Sequence, residues 1–285
     1  MANTEQVREL SRNAFYSNAK AQKELTNLFG RVVASSEMDK FKEMVWSLQV
    51  EIYNGIGQGE QLQQLCRWLP EDQKEGFKVM LAKLIEPENL PVFSDKPFNE
   101  VDLQEQEARL TAGQIFSAIC WLPGETVESR QAITTSATKF TESNNPGLML
   151  GRNRGDNGEA PAWTIIINNQ TDRRLEDFWR DRLKRGYEIG FKGLMCLPSL
   201  EARDSNDWVS LPMDIAPGVM KEYIRMFGDV GDLNIRNRVI DNILTYFNDK
   251  KPGEFKELIE KADFSNWSGW IKDGVNYWLK GVLKT

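Results

Sequence analysis

The chain has 285 residues and a mass of 32.7 kDa, enough for one large domain or two packed lobes around a real hydrophobic core. An apolar fraction of 40% with nine tryptophans excludes a disordered protein, and a net charge of −6 with a pI near 5.1 excludes a surface that is basic all over. Nucleic acid can therefore be met only through a local basic groove.

Residues Thr4 to Ala34 are rich in Gln, Glu, Arg, Asn and Ala, with apolar side chains at Val7, Leu10, Ala14, Leu25, Leu28 and Phe29. They predict one long or two short helices forming an N-terminal arm, 1–35, that packs only when something receives it. Met38 to Tyr53 is amphipathic, Phe41, Val45, Leu48 and Ile52 recurring near i+4, until Asn54, Gly55, Gly57 and Gly59 end it. Gln61 to Leu69 and Glu71 to Leu84 form a helix pair hinged at Pro70, which completes an N-terminal lobe, 36–90. The proline-rich stretch from Glu86 to Pro97 predicts an extended linker between lobes.

A main lobe, 91–262, then opens with an apolar helix from Leu103 to Leu122, in which Leu110, Ile115, Phe116 and Ile119 mark the central core helix. Pro123 and Gly124 break it, Glu125 to Phe140 adds a helix rich in Thr and Ser, and Glu142 to Pro161 is a long polar loop carrying Arg152 and Arg154 among glycines. Trp163 to Ile167 is β-branched and predicts the one minor strand. Thr171 offers an N-cap for a helix from Asp172 to Arg185, and Gly186 stops it. After an irregular segment from Leu194 to Pro217, helices are expected over Pro217–Phe227, Asp232–Phe247 and Glu254–Ala262, and the chain closes with an amphipathic, Trp-rich segment, 263–285. The fold class is mainly α: a two-lobed helical domain with at most a minor β element near 163–167.

Two constellations carry a function. The stretch 163–192 mixes Arg173, Arg174, Arg180, Arg182, Lys184, Arg185 and Lys192 with Trp163, Trp179, Tyr187 and Phe191, and the loop adds Arg152 and Arg154. Cationic groups that bind phosphates beside aromatic faces that stack bases are what a groove for single-stranded nucleic acid needs. On the helix, Leu175, Phe178, Trp179 and Leu183 gather on one side, with Arg173, Arg180 and Lys184 roughly opposite. The competing reading is a solvated helix laced by i,i+4 pairs such as Glu176 with Arg180 and Asp181 with Arg185, since six cations there face four carboxylates. At the C-terminus, Trp267, Ile271, Val275, Trp278 and Val282 share one arc with Trp270 at its edge, a stripe that must dock. Its cover is the chain's own core, a neighbouring subunit or a membrane surface.

Other matches carry little. NGIGQGE at 54–60 lacks a P-loop lysine and follows a helix, the Arg154-Gly155-Asp156 tripeptide and the sequons at Asn169 and Asn266 matter only outside the cell, and Asp204, Asp207, Asp214, Asp229 and Asp232 sit in turn contexts that hold no dedicated Mg²⁺ site. The absence of histidine removes Ser-His-Asp and Cys-His arrangements and zinc sites of mixed Cys and His. The expectation is a non-enzyme with no cofactor and no metal. Cys66, Cys120 and Cys196 stand singly in apolar runs as buried free thiols, no apolar run approaches the roughly 18 residues of a membrane span, and no signal peptide opens the chain. That points to an intracellular, reducing compartment, the cytoplasm, or a virion if the protein is viral. The leading expectation is an RNA-binding nucleocapsid or coat-type protein, its partners single-stranded RNA and itself, the latter through terminal arms. The alternative is a helical scaffold or adaptor that takes a protein partner or an apolar ligand between its lobes.

Overall fold

The computed structural model describes residues 4–15, 18–48, 58–94, 96, 98–143, 165–166, 168–169, 173–195, 240–241, 244–245, 248–249, 251–265, 267 and 269–282. Among these residues the regular structure is helical and no strand occurs, so the chain is mainly α. It divides into two compact units, Met1–Asn169 and Gln170–Thr285.

The first unit is built from α1 (Thr4–Phe15), α2 (Ala19–Ser35), α3 (Met38–Ser47), α4 (Gln58–Trp68), α5 (Glu71–Lys83), α6 (Leu103–Cys120) and α7 (Val127–Glu142). Asn18 starts α2 by accepting from the Lys20 and Ala21 amides, each at 3.1 Å, and Ser36 in the left-handed region at φ 54° ends it. Apolar spacing on three helices converges on a ring cluster: Phe29, Phe41 and Phe77 meet edge to face at 5.5 to 6.2 Å.

The N-terminal segment is no detached arm. Val7, Ser11, Ala14, Leu25 and Phe29 are buried, and Phe15 stacks on Trp68 at 5.1 Å, because the apolar stripes of both helices find their cover inside this unit. The proline-rich stretch likewise lies within it. Glu86 accepts from Ser136 at 2.7 Å on α7, while Arg109 of α6 donates to the Ser94 and Lys96 carbonyls at 2.6 and 2.9 Å.

The expected strand is also absent where it can be checked, since Ile165 and Ile166 are helical. Both are fully buried, and the Asn169 amide donates to the Ile165 carbonyl at 2.7 Å, so local hydrogen bonding and burial override β propensity. Asn169 also accepts from the Gly124 amide at 2.8 Å, closing the pair onto the α6–α7 turn.

In the second unit, α8 (Glu176–Lys184) follows a 3-10 turn at Arg173–Leu175, and α9 (Glu188–Met195), α10 (Glu254–Lys261) and α11 (Gly269–Val282) come after it. Leu175, Trp179 and Leu183 face the core of this unit as their spacing predicts, beside Phe191, Ile240, Leu244, Phe255 and Ile259. Gly186, at φ 83°, makes the corner between α8 and α9. Past it the helices touch backbone to backbone: a side chain at Gly190 would meet the Leu183 amide and the Trp179 carbonyl, and one at Gly193 would enter the Trp179 ring.

Candidate nucleic-acid interface

The helix α8 sorts its cations into an inner and an outer set. Arg180 is inner, 7% exposed, with its guanidinium lying 4.5 Å over the Phe255 ring and engaged by Glu254, and with Glu176 at 3.6 Å. The sequence pattern puts Arg180 on the outward face with Lys184, but α10 packs there and brings Glu254 and Phe255 against it. Lys251 adds a second cation to Glu176 at 3.8 Å.

The outer set comprises Arg174, Lys184 and Arg185, all exposed, together with Tyr187 at 41% exposure just past the Gly186 corner. Arg185 is tied to Asp181 at 3.0 Å, the i,i+4 pair anticipated on a solvated face. Arg182 is half-buried, its guanidinium 5.0 Å from the Phe178 ring. The corner is held from behind by Trp267, whose indole N–H donates to the Gly186 carbonyl at 3.1 Å and whose ring lies 5.6 Å from Phe191. Lys184, Arg185 and Tyr187 are thus exposed on either side of a corner that Trp267 braces. The nearby Asp263 stays ionised to lower pH than usual, because it accepts from the Ser265 amide at 3.0 Å.

Arg152 and Arg154 lie outside the described residues, as do the side chains of Arg173 and Lys192, whose backbones are helical. So does Thr171, the expected N-cap. Of the anticipated set, the described surface thus unites Lys184, Arg185 and Tyr187, keeps Arg174 exposed at the other end of α8, and takes Arg180 into the interior.

The C-terminal stripe is covered within its own unit. Trp267, Ile271, Val275 and Trp278 are all buried, and Gly274 lets the Ile240 side chain come against α11. These four side chains are thus part of the chain's own core and present no free docking surface; Trp270 and Val282 have side chains outside the described set. The outward side of α11 carries Tyr277, 57% exposed.

Sequence reasoning missed a second surface. Leu110, expected in the core of α6, is 44% exposed, and Leu103 and Trp121 are 70% and 60% exposed. The spacing i, i+7, i+18 returns to the same side of a helix, so the signal was available in the pattern opposite Ala112, Ile115 and Ile119. In the same unit a cleft of about 610 Å³ runs along α2, lined by Leu10, Glu24, Leu28, Arg31, Pro70 and Gln73 among others.

Among the described residues no group of His, Cys, Asp and Glu could hold a metal ion, and no helix is long and apolar enough to cross a membrane. Cys66 and Cys120 are buried free thiols, burial pushing Cys66 up to about 11. The five carboxylates from Asp204 to Asp232 and the segment 142–161 beyond Ser143 lie outside the described residues. No family model, curated protein or solved structure matches this chain.

Proposed function

We propose that the protein is an RNA-binding, self-assembling protein of the nucleocapsid or coat type, which holds single-stranded RNA by its backbone. The observation that carries this reading is the corner at Gly186, braced by Trp267, with Lys184, Arg185 and Tyr187 exposed on either side of it. Two cations spaced along one turn fit successive phosphates, and a half-exposed phenol ring offers a face for one base. Neither contact reads sequence, so binding is general for single strands. Arg180 supports the site only by anchoring α8 to α10.

The test is fluorescence anisotropy of a labelled single-stranded RNA oligonucleotide, measured over a series of salt concentrations on protein freed of bound nucleic acid. If Arg174, Lys184 and Arg185 each meet a phosphate, log K falls with log salt at a slope of roughly −2. The double variant K184E/R185E should lose most of that slope while keeping its circular dichroism. Binding that ignores salt, or that survives the double variant, overturns the proposal.

A second reading, a helical scaffold that takes a protein partner, draws on the exposed apolar residues of α6.

A further inference from the structure

The surface of the first unit carries two features of opposite character on different helices. On α6, Leu103, Leu110 and Trp121 line one side over roughly 27 Å at 1.5 Å per residue. Glu107 is exposed along the same line, and Asp102, the N-cap, and Glu100 are exposed at its N-terminal end. The helix itself has only one cation, Arg109, and that is buried against Glu105 and the Ser94 and Lys96 carbonyls. The ridge is therefore apolar and acidic.

On α2 the exposed side carries Lys20, Lys23 and Arg31 against one carboxylate, Glu24. Among the described residues none of these three cations has a carboxylate partner. Arg31 lines the cleft of about 610 Å³ together with Glu24 and the polar Gln6, Asn27 and Gln73, and Leu10, Leu28 and Pro70 add apolar walls. A space of that size receives a few large side chains projecting from one helix.

We infer that these two features are the halves of one self-association interface: the α6 ridge of one molecule seats in the α2 cleft of a second copy of this chain. The inference deepens the self-assembly part of the proposed function. Two ridges packed on one another, in either direction, offer Asp102 and Glu107 no partner, because the only cation of α6, Arg109, is buried. The chain's own α2 supplies what the ridge lacks, namely exposed cations that have no carboxylate partner among the described residues, beside a cleft with some apolar walls. Because ridge and cleft are different surfaces, the contact is heterologous, and each added molecule leaves one ridge and one cleft open. Growth then proceeds to a ring or a filament without help from the C-terminal helix.

Full-length protein treated with ribonuclease is examined by size-exclusion with light scattering over a concentration series. The wild type should exceed the 32.7 kDa monomer and grow with concentration. L110E/W121E, which spoils the ridge, and R31E, which spoils the cleft, should each associate about tenfold or more weakly. Mixed in equal amounts, they should form a dimer and nothing larger, since one intact ridge and one intact cleft remain per pair. Combining E107K with R31E in one chain should restore growth. K20E/K23E provides a second α2 variant, at two exposed positions, should R31E fold poorly.

A monomeric wild type, unimpaired ridge variants, or an equimolar mixture that stays monomeric overturns the inference. A monomer that still binds RNA with the expected salt slope leaves the RNA reading standing. Assembly without RNA binding does the converse.

Discussion

Arg180 shows how one residue changes meaning between sequence and structure. Its i,i+4 partner Glu176 was visible in the chain, but Glu254 lies 74 positions away, and no local pattern reports it. Replacing Arg180 by Ala leaves Glu254 and Glu176 without their shared cation and removes the stack on Phe255. Breaking a buried pair costs about 3 to 5 kcal/mol, reduced here to roughly 2 to 3 because Glu254 is half-exposed. Lys at this position should recover little of the loss, since an ammonium neither stacks nor forks. The check is urea unfolding, with the salt slope for RNA measured on the same preparation. R180A should fall in stability and keep its slope; a lost slope at unchanged stability would return Arg180 to the binding surface.

A second residue-scale argument concerns Glu75. Burial opposes its ionisation, yet Lys78 at 2.5 Å, the Ser129 hydroxyl and the Glu125 amide at 2.8 Å together hold its carboxyl below the usual 4.5. A depressed carboxylate contributes stability that is present above its ordinary value and is lost as pH falls through the lower folded value. Burial also opposes the charge on Lys78, but Glu75 and Glu125 raise it above 10.5, so its contribution is present below 10.5 and fades above that. Denaturant midpoints should thus be insensitive to this pair across neutral pH and decline below about 4.5. Glu75→Gln should flatten that acid limb. An unchanged limb would show that the acid loss arises elsewhere.

Whole elements were legible where apolar period and end signals agreed. The starts of α3, α5 and α6 fall at Met38, Glu71 and Leu103 as the spacing predicts, and Gly186 stops α8 as its sequence neighbours imply. Ile165 and Ile166 went the other way, because a run of β-branched residues is short enough to be claimed by whichever neighbours bury it. The outer side of α6 was misjudged although the pattern held the signal: Leu110 reads as core when grouped with Ile115, Phe116 and Ile119, whereas its spacing to Leu103 and Trp121 puts it on the other side, away from Ala112, Ile115 and Ile119. The α8–α9 corner yields a prediction at this scale. Gly190→Ala drives a methyl group into the Leu183 amide and the Trp179 carbonyl, so the helices must part. Overpacking of this kind costs about 1 to 3 kcal/mol, read as a lower urea midpoint at an unchanged m-value. Gly269→Ala, where open space surrounds the new methyl, is the control and should be neutral or slightly stabilising.

For the molecule as a whole, the decisive question is what the C-terminal stripe is for. The periodicity of Trp267, Ile271, Val275 and Trp278 fixed that the helix must dock, but the identity of its cover depended on Ile240 and Phe191, which no spacing rule connects to it. With that stripe inside the second unit, deleting 264–285 strips four core side chains from it. Such a loss exceeds what a unit of this size withstands, given that Trp278→Ala alone should cost about 3 to 5 kcal/mol. The truncated chain should lose cooperative unfolding of residues 170–263, while a separate fragment, Met1–Asn169, keeps its helical circular dichroism and its own unfolding transition because its Phe29, Phe41 and Phe77 cluster is complete. Were the truncated chain instead a stable monomer that had merely lost its oligomers, the helix would be an exchanged arm, and assembly would have to be argued from α11 in place of the ridge and cleft of the first unit.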